Sequence, residues 1–272
     1  MALDVTNNIY SINAQRNMTK NQSGLQRSME RLSSGARINR ASDDAAGLAI
    51  SEKLMANIAA MTQASANASD AVSMIQVTEG AMDESSNMLI RMKELAEQAA
   101  TGTVSTAERG YLDTEYKALY AEITRTAEST KFNDTYLLNG TLNVQIQVGT
   151  SNSANDVLTV SVGAVDAATL GLTTGISTVT GAQAALSTIS DAIDQVSGTR
   201  AGLGALENRI ESVISNLNTA VENLTSANSQ IRDTDVAAET ANMTKYNVLV
   251  QAGVAVLAQA NSVPSLALTL LK

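Results

Sequence analysis

The chain has 272 residues and a net charge of −9, is 44% hydrophobic, and holds one Phe, no Trp, no Cys and no His. The lack of Cys excludes disulfides and thiolate chemistry, and the lack of His removes the commonest general base and metal ligand, so no catalytic, metal or cofactor site is expected. An aliphatic, ring-poor core and a single proline, Pro264, suit long helices packed along seams rather than a globule.

Charge is unevenly spread: net +4 over residues 1–40, −1 over 233–272 and so −12 over 41–232. The acidic body disfavours nucleic acid, and the basic first segment lacks the aromatic set that stacks bases. The opening MALDVTNNIY has neither the basic start nor the apolar run of a signal peptide. No run of about 18 apolar residues is present, so no membrane span is expected.

Residues 1–33 read as a weak amphipathic helix. Met18, Leu25, Met29 and Leu32 share a stripe, with Ile9 and Ile12 about one position off it, among many Asn, Gln, Ser and Thr. The segment is expected to stay mobile until it meets a partner. SSGARINRA over 33–41 breaks the pattern as a loop. From Ser42 to residue 99 the apolar residues step by four and three: Leu54, Ile58, Met61, Ala68, Val72, Ile75, Met82, Leu89, with Ser65, Glu79 and Ser86 filling the skipped places. That is the seam of a coiled coil. Ser42 is the expected N-cap, followed by Asp43 and Asp44 against the positive helix end. Straight, such a helix would run about 85 Å.

Residues 101–104 read as a turn. Ser105 and Glu108 have capping-box spacing for a helix carrying Leu112, Tyr116, Leu119 and Ile123, which should fold back antiparallel on the long one. At Lys131 the texture changes. Asn133, Asn139 and Gly140 mark turns. Leu142, Val144, Ile146 and Val148, then Leu158, Val160 and Val162, alternate with polar residues around GTSNSAND, which predicts one β-hairpin over about 140–163. Residues 163–181 read as irregular, with a helical turn near 167–170. From Ala182 the helical stripe returns through Leu186, Ile189, Ile193, Val196, Leu203, Leu206, Ile210, Val213, Leu217 and Leu224 to about residue 232. Gly198, Gly202 and Gly204 lack a preceding strand and a Walker lysine, so they read as close helix contact or local flexibility rather than a phosphate loop. Arg232–Asp235 is punctuation. A last amphipathic helix carries Val236, Met243, Val250, Val254 and Leu257 and is expected to end near Pro264, ahead of an apolar LALTLLK containing Leu268 and Leu271. Exposed apolar segments of this kind ask for a partner, and copies that meet through different surfaces without closing make a helical filament.

The residues carry a more specific identification. LSSGARINRASDDAAGLAISEKL (32–54), IRDTDVAAETANMTKYNVLVQAGVAVLAQANSVPSLALTLLK (231–272), TKFNDTYLLNG (130–140) and DAATLGL (166–172) stand in order along nearly the whole chain. Together they resemble bacterial flagellin, in a short form without variable outer domains. The resemblance implies a mainly α fold: a long antiparallel coiled-coil helix bundle with a small β-hairpin region, and paired terminal helices forming an inner domain. On this reading 1–41 is the inner-domain N-terminal helix and spoke. The outer rod is 42–232, with helices 42–100, 105–128 and 182–232, and the inner-domain C-terminal helix is 233–272.

The implied function is a structural, non-enzymatic subunit of the extracellular flagellar filament. The alternative is the hook–filament junction protein. An inserted metalloprotease is excluded because HExxH needs histidine. Implied partners are other flagellin copies, cap and hook-junction proteins, an export chaperone on the C-terminal helix and a vertebrate Toll-like receptor. Subunit assembly falls to Met18, Leu25, Met29, Leu32, Met243, Val250, Val254, Leu257, Leu268 and Leu271. The rod seam falls to Leu54, Ile58, Met61, Val72, Ile75, Leu89, Leu206, Ile210, Leu217 and Leu224. By motif alignment the receptor contacts fall on Arg91, Leu95 and Glu115, with Ile90 departing from the Gln common before that Arg.

Overall fold

A computed structural model describes residues 7–270, with side chains described as far as residue 262. Five α-helices are described: α1 (Ile9–Ser34), α2 (Ala45–Ala100), α3 (Thr106–Ser129), α4 (Val179–Arg232) and α5 (Val236–Leu270). Between α3 and α4 lie β1 (Lys131–Phe132), β2 (Thr135–Tyr136), β3 (Leu142–Gln147) and β4 (Val157–Val162). The chain divides into two compact units, Met1–Ala56 with Asn223–Lys272, and Asn57–Glu222. The segments 35–44 and 233–235 lie inside the first.

The second unit holds most of α2 and α4, all of α3 and both hairpins. Polar pairs fix the antiparallel register of α2 on α4: Gln76 Nε2 donates to Glu207 Oε1 at 3.0 Å, and Arg200 pairs with Asp83 at 3.0 Å. Helix α3 returns along α2. Its N-terminus carries the full capping box, with Ser105 N–H donating to Glu108 Oε2 at 2.8 Å and Glu108 N–H donating to Ser105 Oγ at 3.3 Å. Buried Arg109 then reaches back to the C-terminal end of α2, donating to the Ala99 and Thr101 carbonyls at 2.8 and 3.1 Å. These satisfy two acceptors that a helix end leaves without an internal partner.

The deepest row of α2 runs Ala64, Ala68, Ala71, Ile75, Thr78, Met82, Ser85, Leu89, Met92, Ala96, Ala99, in unbroken steps of four and three. The apolar pattern finds half of it. The other half, through Ala71, Thr78 and Ser85, falls one position before Val72, Glu79 and Ser86. Small and hydroxylic residues carry that half and give hydrophobicity no signal. Burial costs the hydroxyls little because each bonds its own helix: Thr78 Oγ1 donates to Met74 O at 2.7 Å and Ser85 Oγ to Ala81 O at 3.0 Å. Ile75, Leu89 and Ile210 are fully buried, whereas Leu54, Ile58, Met61, Val72, Leu206, Leu217 and Leu224 are half-buried. Gly198 and Gly202 face open space, so close helix contact does not explain them, and neither interrupts α4.

Strands β3 and β4 pair antiparallel with Leu142 opposite Val162 and Ile146 opposite Leu158. Their apolar face is buried against the helices, which is what a lone hairpin needs to be stable. A second hairpin, β1–β2, was not expected. Its two-residue turn is Asn133–Asp134, both at positive φ (44° and 63°), as a primed turn requires. The turn over 167–170 closes with Leu170 N–H donating to Asp166 O at 3.0 Å.

Several boundaries differ from expectation, among them the start of α4, which lies at Val179 rather than Ala182. Asp44, not Ser42, caps α2: its Oδ1 accepts from Gly47 N–H at 2.9 Å, while Asp43 Oδ2 accepts from Asn39 and Arg40 N–H in the preceding turn. Helix α5 does not end near Pro264 but continues to Leu270.

Candidate assembly surface

The first unit is built on the pairing of α1 with α5. Neither helix has an apolar face broad enough to stand alone, and they pack antiparallel along one narrow seam. On α1 the inward row is Ser11, Ala14, Met18, Asn21, Leu25, Ser28 and Leu32; on α5 it is Glu239, Met243, Tyr246, Val250, Gly253, Leu257 and Ala260. Both rows step by three and four, as in a coiled coil. Gly24 lets α1 approach the Tyr246 ring, and Gly253 lies against Met18. Arg31 pairs with buried Glu239 at 3.8 Å.

Backbone bonds tie the two punctuation segments together within this unit. Gly35, at φ 72°, ends α1 in the left-handed conformation, and its carbonyl accepts from Thr234 N–H at 2.9 Å. Arg37 donates from its backbone to Arg232 O at 2.6 Å and from Nη2 to Ile231 O at 2.7 Å. Ile38 is buried beneath. Asp235 opens α5 by accepting from Ala237 and Ala238 N–H at 2.9 and 3.1 Å.

The pairing sorts the residues singled out for assembly. Met18, Leu25, Leu32, Met243, Val250 and Leu257 lie half-buried on the seam between α1 and α5, while Met29 and Val254 face outward at 55% exposure each. The Leu268 side chain and Leu271 lie outside the described residues. The outer faces also carry Ile9, Tyr10 and Ile12 on α1, and Val236, Val248, Leu249 and Val256 on α5. The signal for part of this set was the one-position offset of Ile9 and Ile12 from the main stripe. Among the described residues, eleven of the fifteen exposed large apolar side chains belong to the first unit, although the second is the larger. A concentration of exposed apolar side chains is the usual mark of a contact surface.

In the second unit Arg91 and Glu115 face solvent and pair at 2.8 Å across α2 and α3, and Arg91 also bonds Glu94 at 2.9 Å. The two carboxylates hold the guanidinium pKa above its ordinary value, Glu94 first. Leu95 is 1% exposed and belongs to the core. The three residues therefore do not form one exposed cluster. Among the described residues no group of His, Cys, Asp and Glu is arranged to hold a metal, and no helix is long and apolar enough to cross a membrane.

Comparison with known proteins identifies the fold. The family described as the bacterial flagellin N-terminal helical region matches residues 5–143, and the flagellin C-terminal helical region matches 186–271. The chain is 44% identical to a flagellin of Halalkalibacterium halodurans, over 98% of this chain and 99% of that one. It is 38% identical to a flagellin of Bacillus subtilis, with the same coverage of each. It is also 37% identical to the flagellar filament 33 kDa core protein of Treponema phagedenis, again over 98% and 99%. The crystal structure of Bacillus cereus flagellin superposes with a TM-score of 0.51 at 30% identity, covering 56% of this chain and 88% of that one. A putative flagellar hook-associated protein from Vibrio parahaemolyticus shares the fold, with a TM-score of 0.61 at 14% identity over 70% of this chain and all of that one. End-to-end identity to flagellins, set against a likeness to the hook-associated protein in fold alone, means that this chain belongs to the bacterial flagellin family.

Proposed function

We infer that the chain is a structural subunit that polymerises into a bacterial flagellar filament. The observation that carries this is the outward apolar face of the α1–α5 pair, from Ile9, Ile12 and Met29 to Val248, Val254 and Val256. An isolated coiled-coil pair has no use for apolar residues outside its own seam, whereas a subunit surrounded by copies of itself covers them. The seam residues Met18, Leu25, Leu32, Met243, Val250 and Leu257 then contribute indirectly, by holding the two helices as one surface.

The finer reading rests on the family resemblance. The filament is extracellular and drives swimming. Subunits pass unfolded through a flagellar type III channel, which suits a chain without disulfides. A chaperone covers the apolar C-terminal helix before export, as an amphipathic helix lies in a groove. Cap and hook-junction proteins meet the filament at its two ends, and the chain performs no catalysis. Toll-like receptor contact would fall on exposed Arg91 and Glu115, with Leu95 acting from beneath the surface.

Seeded elongation tests the central reading. Purified chain added to sheared filaments should extend them into long tubes under negative stain. Ile12→Asp combined with Val248→Asp should stop extension while circular dichroism stays helical. Normal tubes from that variant would remove the proposed contact face.

A further inference from the structure

Pro264 stands six residues before the end of α5, in the helix body. Proline has no backbone N–H, so the carbonyl of Ala260, four residues earlier, loses its helical donor. That donor is replaced from another helix. Asn8 Nδ2 donates to Ala260 O at 2.8 Å, across 252 residues of sequence. The same side chain caps α1, its Oδ1 accepting from Ser11 N–H at 3.1 Å. Ser11 Oγ in turn donates to Asn261 Oδ1 at 2.8 Å.

We propose that Asn8 and Pro264 form a register pin: the proline exposes one carbonyl in the body of α5, and the Asn8 amide, held by its own capping bond, fixes α1 to α5 at that one position. A neighbouring register is poorer for a stated reason. A slide of α1 by one turn sets Asn8 opposite Val256, whose carbonyl already takes the helical N–H of Ala260. The Ala260 carbonyl would then lack a partner in a half-buried place, and the Asn8 amide would lose its acceptor. The pin adds, near the C-terminal part of α5, to the register contacts that Gly24 against Tyr246 and Arg31 against Glu239 make elsewhere along the seam. A single polar contact in such a seam can specify register at little gain in stability. For a subunit whose outer face is assembled from both helices, register decides whether Ile9 and Ile12 stand beside the correct residues of α5. The pin therefore deepens the filament-subunit reading and rests on it for its consequence in assembly.

The test is a double-mutant cycle in the full chain. Asn8→Ser keeps a good N-cap but is one heavy atom shorter and carries no amide donor. Pro264→Ala returns an N–H to the Ala260 carbonyl. Asn8→Ser alone should raise the critical concentration for seeded elongation about fivefold, from the loss of one half-buried hydrogen bond. Amide exchange should quicken over 257–270. In the Pro264→Ala background the same substitution should change the critical concentration by less than about twofold and leave exchange unchanged. Equal penalties in both backgrounds, or none in either, would overturn the pin. If wild-type chain fails to extend seeds, the filament reading falls, and the exchange cycle on the unassembled chain still decides the pin.

Discussion

Gly24 on α1 faces the Tyr246 ring on α5 so closely that a β-carbon on Gly24 would stand 2.7 Å from the ring edge. This contact sets how near the two helices come at mid-seam, and two opposing terms make it measurable. Gly24→Ala gains about 1 kcal/mol of helix propensity. It also forces the ring outward, an overpacking term of about 1–3 kcal/mol. The clash is expected to win, lowering the temperature at which filaments depolymerise. Adding Tyr246→Ala should recover part of the loss. A raised melting temperature for Gly24→Ala alone would show that the ring swings aside freely.

Arg109 is expected to be the costliest charged residue to replace in the second unit. Its guanidinium is buried and serves the Ala99 and Thr101 carbonyls at the end of α2. Arg109→Met keeps the packing but strands both acceptors, for a loss of about 2–3 kcal/mol in urea unfolding. A loss under about 0.5 kcal/mol would mean that water serves the carbonyls equally well.

Arg91 and Leu95 separate surface from core one helical turn apart. Leu95→Ala should destabilise the second unit by about 3 kcal/mol, because its side chain is 1% exposed in a packed cluster. Arg91→Ala should leave the melting curve in place, since both its ion pairs are open to solvent and screened. If receptor signalling is lost in both variants, heating curves will distinguish them: a fold effect at Leu95 and a contact effect at Arg91.

Stability is expected to be flat between about pH 6 and pH 9, because no side chain of ordinary pKa titrates there in a chain without His or Cys. Acid should weaken it. The Glu108 carboxyl is held below its ordinary value by the Ser105 backbone N–H and then its hydroxyl, and Asp166 by the Thr169 hydroxyl and then nearby backbone N–H groups. The unfolded chain then binds more protons than the folded one, so their contribution is present above the ordinary carboxylate range and is lost as pH falls through the lowered values. At the alkaline end burial raises the Tyr116 phenol, whose contribution is whole below about pH 10 and is lost above it. Melting temperatures measured from about pH 3 to 11 check both limbs. Glu108→Gln should flatten the acid limb, and an unchanged limb would assign it to other carboxylates.

Local chemistry was enough to find the long helices, because apolar residues at steps of three and four over fifty residues suit no other element, and the Ser105–Glu108 box needs only its own four residues. The β3–β4 hairpin was equally legible from strict alternation. What composition and periodicity left open depends on residues far apart in the chain. Thr78 and Ser85 are buried because a neighbouring helix lies over them, and their own hydroxyl bonds make that tolerable. Met18 and Met243 lie on an internal seam while Ile12 and Val248 face outward, a division that exists only once α1 and α5 are paired. Pro264 reads as a helix stop, since a single chain segment has no donor to offer the Ala260 carbonyl. The tertiary structure brings that donor from Asn8, at the other end of the sequence, and the helix runs on.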